Sequence, residues 1–284
     1  MPPSPIGAHV PVAGGLTVGL LYAREAGAEA IQVFVSNPRG WAPAPDDPER
    51  DAAFAEQAED VPVFVHASYL VNLGSPGALT AQRSVESLRH SLRRGARIGA
   101  RGVVVHTGSA VTPRASGADM ADALKRVRER LLPLLDEFAD QGPDVLLEPM
   151  AGRGAILVAT VDDFAAYLDA LDWHPRAGIC LDTCHAYAAG HDLAAAAGVD
   201  RTLTALENAA GPGRLKLVHA NDSKDPCGSR RDRHENIGAG HIGTEPFREL
   251  LHHRLTAGVP FIVETPGRLE AHARDIALLK KLAS

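Results

Sequence analysis

The sequence predicts a single-domain α/β protein, a (β/α)8 TIM barrel over residues 1–284, with its functional site at the carboxyl-terminal mouth of the strands. Three observations carry that expectation. Eight short apolar runs recur with helix-like stretches between them, most of the runs end abruptly in His, Asp or Glu, and no low-complexity tract or linker divides them. A doubly wound open sheet is the alternative, but it has no need of eight evenly spaced repeats.

The runs read as strands over Ile6–His9, Ile31–Val35, Val61–His66, Gly102–His106, Val145–Glu148, Gly178–Asp182, Leu215–His219 and Phe261–Glu264. Helical composition occupies Leu16–Ala26, Glu49–Glu59, Thr80–Ile98, Ala118–Ala139, Val161–Leu171, Asp200–Ala209, Glu245–Leu255 and Arg268–Leu282. Thr80 stands where a helix cap belongs, with apolar residues at helical spacing behind it. Two loops stand out: the Pro-rich Asn37–Pro45 after the second strand and the Gly- and Arg-containing Asp222–Gly243 after the seventh. In a barrel both fall at the mouth, where loops usually serve function.

Composition excludes little. Hydrophobic content of 45% and 23% charged residues are ordinary for a globular chain. A net charge of −6 gives no global nucleic-acid signal, although acidic ligands inflate that count and bound cations would reverse the local field. The N-terminus lacks a charged-then-apolar leader and no apolar stretch is long enough to span a bilayer, so the expectation is cytoplasmic with no membrane partner. Three cysteines without a Cys-x-x-Cys pair suit a reduced compartment, and Cys180 and Cys184 read as buried thiols rather than ligands.

The chemistry lies at the strand ends. Strands three to eight all close in His, Asp or Glu, types that make up only 48 of 284 residues. With a loop pair added, the candidates are His66, His106, Glu148, Asp182, His185, His219, Asp232, His234 and Glu264. Any one of them alone reads as a hydrogen-bonded polar group at a strand end. Nine together read as a polynuclear metal site. Imidazole and carboxylate without obligatory thiolate suit zinc, with manganese or iron as alternatives. At about three protein ligands per catalytic zinc, nine imply three ions, or two with some groups standing behind. Clustered divalent ions suit in-line phosphoryl chemistry, so phosphodiester hydrolysis is the natural hypothesis. His9 is expected to orient a ligand from behind. His90, His174, His252, His253 and His272 fall on helices or their ends and are expected in solvent; His191 and His241 are unassigned.

These residues carry a family resemblance. Gly7-Ala-His-Val with Ala13-Gly-Gly-Leu16, His66-Ala-Ser-Tyr-Leu-Val-Asn-Leu-Gly74 and His106-Thr-Gly-Ser109 resemble the endonuclease IV family of zinc-dependent apurinic/apyrimidinic endonucleases. Glu148 with Ala151-Gly-Arg-Gly154, Leu181-Asp-Thr-Cys-His-Ala-Tyr-Ala-Ala-Gly190, His219-Ala-Asn-Asp222 and Ser229-Arg-Arg-Asp-Arg-His234 extend it over essentially the whole chain. The resemblance implies three zinc ions per chain, with manganese able to substitute. His66 and His106 would hold one, and Glu148 would bridge it to a second held by Asp182, His219 and Glu264. His185, Asp232 and His234 would hold the third.

The resemblance further implies base-excision repair of duplex DNA. Hydroxide oriented by Glu148 and Glu264 would attack the phosphorus 5′ to an abasic site, leaving a 3′-hydroxyl and a 5′-deoxyribose phosphate; blocked 3′ ends would also be cleaned. Arg39, Tyr69 and Leu70 match positions that enter the minor groove, and Arg230, Arg231 and Arg233 would meet phosphates. The protein would act as a monomer, in the cytoplasm at the nucleoid. Two departures bear on the rim of the site: Pro149-Met150 follows Glu148, and Pro38 precedes Arg39. The rival readings are a metal-dependent sugar isomerase or epimerase of the xylose isomerase-like barrels, with one or two ions, and a non-catalytic binder of damaged DNA.

Overall fold

A computed structural model describes residues 2–111, 116–152 and 154–284, except for the side chain of Ala118. Arg153, part of the Ala151–Gly154 motif, lies outside the described residues.

Eight parallel strands close on themselves. They are β1 (Ile6–His9), β2 (Ile31–Phe34), β3 (Val63–His66), β4 (Gly102–His106), β5 (Asp144–Glu148), β6 (Ala177–Asp182), β7 (Leu215–His219) and β8 (Phe261–Val263). Each pairs with its sequence neighbours, and β8 closes the barrel on β1 through Ile6 opposite Phe261 and Ala8 opposite Val263. The helices are α1 (Leu16–Ala26), α2 (Pro48–Gln57), α3 (Ala78–Arg97), α4 (Gly117–Glu137), α5 (Phe164–Ala170), α6 (Thr183–Ala189), α7 (Gly198–Ala210), α8 (Thr244–His252) and α9 (Leu269–Ala283). Local chemistry sets their ends. Asp47 caps α2 by accepting from the Arg50 amide at 3.1 Å, with Pro48 supplying the preset first turn. Ser116 and Asp119 form a reciprocal capping box on α4.

The apolar side chains form two layers. The larger packs strand against helix and includes Val65, Val105, Leu147, Ile179, Val218 and Val263. The smaller is a plug of Ala30, Phe64, Val104, Leu146, Cys180, Leu217 and Ile262. Strand side chains alternate faces, so residues two further on point the same way, one layer nearer the mouth. From the plug, that step reaches Gln32, His66, His106, Glu148, Asp182, His219 and Glu264. This polar layer is therefore the lid of the barrel's own interior packing.

The structure adds elements that the sequence reading did not contain. The stretch after Asp182 is a short helix, α6, and the Asp222–Gly243 loop holds a two-stranded antiparallel ribbon pairing Asp222–Ser223 with His234–Glu235. His272 is also corrected. Its ring is buried rather than solvated, with Nδ1 2.9 Å from the Tyr22 hydroxyl and Nε2 2.9 Å from the Thr265 carbonyl, because α9 packs on α1. His90 and His174 are half-buried, the latter with Nε2 3.4 Å from Asp136.

Candidate metal centre at the barrel mouth

Each of the nine strand-end and loop candidates falls into one of three groups whose ligand atoms lie within 4.8 Å of one another: His66, His106 and Glu148; Glu148, Asp182, His219 and Glu264; His185, Asp232 and His234. Glu148 belongs to two of them. Its Oε2 is 3.3 Å from His66 Nε2 and 3.4 Å from His106 Nε2, while Oε1 is 3.1 Å from His219 Nδ1. His219 Nδ1 is also 3.2 Å from Glu264 Oε2 and 3.9 Å from Asp182 Oδ2. In the third group Asp232 Oδ1 is 3.2 Å from His185 Nε2 and 3.1 Å from His234 Nε2. Ligands of a tetrahedral zinc, each about 2.0–2.2 Å from the ion, stand roughly 3.4 Å apart. The spacing fits.

The imidazoles are held from behind. His66 Nδ1 lies 2.7 Å from the Ala67 carbonyl, His185 Nδ1 2.9 Å from that of Pro149, and His234 Nδ1 3.3 Å from that of Glu264. Donation at Nδ1 leaves Nε2 with its lone pair facing the group. His185 Nε2 and His234 Nε2 are buried, and the Asp232 carboxylate beside each is not aligned to form a hydrogen bond, a state that a cation among the three would relieve.

Local sequence explains the placement of Asp182 and His185. Asp182 caps α6 by accepting from the His185 amide at 2.8 Å, so its carboxylate and the imidazole three residues on share one helix start. Asp182 Oδ2 accepts from Asn221 at 2.7 Å, and Asn221 Oδ1 takes the Glu264 amide at 2.8 Å. The ribbon that brings Asp232 and His234 inward is built on buried Asp222. That carboxylate accepts from the amides of Ser223, Gly238, Gly240, Ile242 and Gly243 at 2.7–3.2 Å. A Cβ at Gly240 would meet the Ser223 carbonyl at 2.4 Å, so the turn admits only glycine. Buried Asp275 on α9 then takes the Asn236 side chain and the Thr265 hydroxyl at 2.9 and 2.6 Å, fastening the chain beyond His234 to the chain beyond Glu264.

The electrostatics are those of a mixed imidazole–carboxylate cluster. Burial opposes charge on Glu148, but His219 and His106 outweigh it and hold the carboxyl well below its usual range. Glu264 is lowered against burial by His219 and His9, and Asp232 against burial by His185 and His234. Conversely, His185 is raised well above the ordinary imidazole range, with Asp182 and Asp232 overcoming burial; His234 is raised to about 9, against burial, by Asp182 and Asp232. For His219, burial is overcome by the Cys180 sulfur, Glu264 and Glu148. Since burial pushes the Cys180 thiol itself up to about 12, it stays neutral and the two carboxylates supply the field. Cys184 is buried with its thiol likewise pushed to about 12, although its sulfur lies within ligand distance of Asp182 and His234.

The family model described as xylose isomerase-like TIM barrel matches residues 20–282. A Streptomyces coelicolor protein named probable endonuclease 4 is 59% identical over 99% of this chain and 96% of its own length. Another of that name, from Methanoculleus marisnigri, is 38% identical over 98% of each. The crystal structure of endonuclease IV from Thermus thermophilus superposes with a TM-score of 0.84 at 35% identity, covering 98% of both chains. The chain belongs to the endonuclease IV family. A D-tagatose 3-epimerase-like protein, with a TM-score of 0.76 at 20% identity over 98% of this chain and 96% of that one, shares the fold alone.

Within this endonuclease IV family chain, the residues expected to meet substrate lie at the rim. Arg39 is exposed, and Tyr69 and Leu70 are 45% and 37% exposed despite their apolar rings and branches. The Tyr69 ring stacks on His106 at 5.8 Å and meets His66 edge-on at 5.3 Å. Arg230, Arg231 and Arg233 are exposed. Arg233 makes a two-pronged contact with Asp225 at 2.6 and 2.7 Å and Arg231 reaches the same carboxylate at 3.5 Å. Arg230 instead has a left-handed backbone, φ 56°, and lines a cleft of about 190 Å³ with His106, Met150, Ile156, His185 and Asp232. His9, the expected orienting residue, has Nδ1 3.2 Å from Glu264 Oε1. Sequence reading missed Gln32, fully buried beside His9, Glu264 and His219. Its signal was its place two residues after the plug residue Ala30.

Proposed function

We propose that this protein is a DNA-repair endonuclease that hydrolyses the phosphodiester 5′ to an abasic site in duplex DNA, leaving a 3′-hydroxyl and a 5′-deoxyribose phosphate. The observation that carries the reading is Glu148, whose two oxygens face two different ligand groups with a third group adjoining. The full-length likeness to relatives named endonuclease 4 supports the same assignment. His66, His106 and Glu148 would hold one zinc; Glu148, Asp182, His219 and Glu264 a second; His185, Asp232 and His234 a third. Ions bound there supply an activated water and neutralise charge on the phosphate.

The chain's own groups do the rest. Glu148 and Glu264, kept ionised by the imidazoles around them, orient the attacking water and stay acceptors throughout. Arg39, Tyr69 and Leu70 occupy the space vacated when the abasic nucleotide leaves the stack, a step that costs least where a base is already missing. Arg230, beside the cleft, meets the backbone phosphate, with Arg231 and Arg233 exchanging Asp225 for phosphate. The same site accepts blocked 3′ ends. A monomer suffices for this arrangement, and action on chromosomal DNA in the cytoplasm follows from the substrate. Among the described residues no helix is long and apolar enough to cross a membrane.

The third ligand group distinguishes this reading from a sugar isomerase, which has no use for it. The deciding experiment incubates metal-quantified protein with a duplex carrying one tetrahydrofuran abasic analogue, which blocks β-elimination. A specific nick leaving a 3′-hydroxyl is expected; no nick from protein carrying about three metals per chain overturns the proposal.

A further inference from the structure

All eight strands direct a side chain into the layer above the apolar plug. Six of these are proposed ligands, His9 hydrogen-bonds one of them, and β2 contributes Gln32. This amide is fully buried and reaches the side chains of two proposed ligands of the same group at once. One of its terminal atoms lies 2.7 Å from Glu264 Oε1 and the other 2.8 Å from His219 Nε2.

The chemistry fixes the orientation. An ionised carboxylate only accepts, so the Gln32 nitrogen faces Glu264 and its carbonyl faces His219. His219 Nε2 must therefore carry a hydrogen, which leaves Nδ1 as the atom that meets Glu148, Glu264 and Asp182. We propose that Gln32 is a positioning residue that sets the His219 tautomer and the rotation of Glu264, and thereby governs metal retention by the Glu148–Asp182–His219–Glu264 group. The inference rests on the metal-site reading above. Without an acceptor at Nε2, a neutral His219 would do better to move its hydrogen to Nδ1 and donate to Glu148 or Glu264. That hydrogen would occupy the position a metal needs.

Two substitutions separate this role from space-filling. Gln32→Met keeps the side-chain length and removes the hydrogen bonds to Glu264 and His219 together with the 2.9 Å contact to His9. Gln32→Ala removes more atoms but leaves a polar space in which water can accept from His219 and donate to Glu264. Positioning therefore predicts that Gln32→Met is the more damaging variant, whereas packing predicts the opposite order.

The experiment loads each protein with zinc, dialyses it against a weak chelator, and measures metal per chain alongside nicking of the abasic duplex. The wild type should retain about three ions and Gln32→Met about one fewer, with kcat lower by about 10–100-fold and KM for DNA within about twofold. Gln32→Ala should fall between them and recover in excess zinc. Equal retention by all three proteins, or greater loss in Gln32→Ala than in Gln32→Met, overturns the proposal. If the methionine variant fails to fold, a Gln32→Ala deficit that excess zinc does not correct overturns it as well. A wild type that holds three ions but does not nick refutes the assigned activity while leaving the retention comparison to decide the role of Gln32.

Discussion

The Tyr69 amide donates to the Pro38 carbonyl at 3.0 Å, which ties the loop after β3 to the loop after β2. Ser68 Oγ donates to the same carbonyl at 2.9 Å. Arg39 and the Tyr69–Leu70 pair are therefore held at the rim as one unit, and Pro38 serves it through a carbonyl that any residue would supply. Burial, with Glu264 and Glu148 nearby, pushes the Tyr69 phenol to about 12, so the ring is neutral in its proposed contact with DNA. Tyr69→Ala should weaken abasic-duplex binding by about 1–3 kcal/mol, the range of a base–aromatic stack. Pro38→Ala keeps the carbonyl and should change binding of the abasic duplex by less than about twofold. A tenfold loss in Pro38→Ala, measured by fluorescence anisotropy, would break the link.

Glu264→Gln preserves shape and removes charge. Its Oε1 neighbours, Gln32 and His9, can be accommodated by an amide, so folding should be retained. Nicking should fall at least about a hundredfold, since loss of a ligand exceeds the 10–100-fold typical of outer hydrogen-bond partners. Steady-state turnover paired with a thermal melt checks this, and wild-type turnover would remove Glu264 from the reaction.

The strand-end candidates were legible because an apolar run that ends in a charged or imidazole group breaks its own pattern at the layer where a barrel opens. His66, His106, Glu148, Asp182, His219 and Glu264 all do so; the register sets His106 opposite Glu148 and Asp182 opposite His219, and the two-residue offsets elsewhere are the stagger of a closed barrel. Gln32 escaped because it sits inside its run, followed by Val33 and Phe34, where a lone amide looks incidental. The ribbon escaped for a different reason. It depends on Asp222 gathering amides as far away as Gly243, a long-range arrangement with no local periodicity. The same limit hid the pairing of Arg231 and Arg233 with Asp225.

The third ligand group yields a count. His185 reaches it only through Nε2, with Nδ1 committed to Pro149, so His185→Ala leaves Asp232 and His234 as two ligands where a zinc site needs about three. Elemental analysis after dialysis should show about one ion fewer per chain than wild type. An unchanged ratio would take His185 out of the site.

Proton release should accompany metal loading. In the metal-free protein His234 titrates at about 9, raised against burial by Asp182 and Asp232, and His185 and His219 are raised in the same sense. A free imidazole titrates near 6.5, so His234 holds an extra proton when folded between roughly pH 6.5 and 9, and His185 and His219 add to the effect in the same direction. Because the folded values are the higher ones, the stabilisation is complete below about pH 6.5 and is lost as pH rises through the folded value. The melting temperature of the metal-free protein should decline across that window. Metal requires the neutral imidazole, so binding must expel those protons and affinity must rise with pH. Glu148, Glu264 and Asp232 are lowered and already ionised there, hence they add no protons to the release. Calorimetric zinc titrations near neutral pH (about 7.5) in buffers of different ionisation enthalpy measure it directly. A binding heat that does not depend on the buffer would mean that these imidazoles are neutral before the metal arrives, and that the carboxylates do not raise them as the geometry requires.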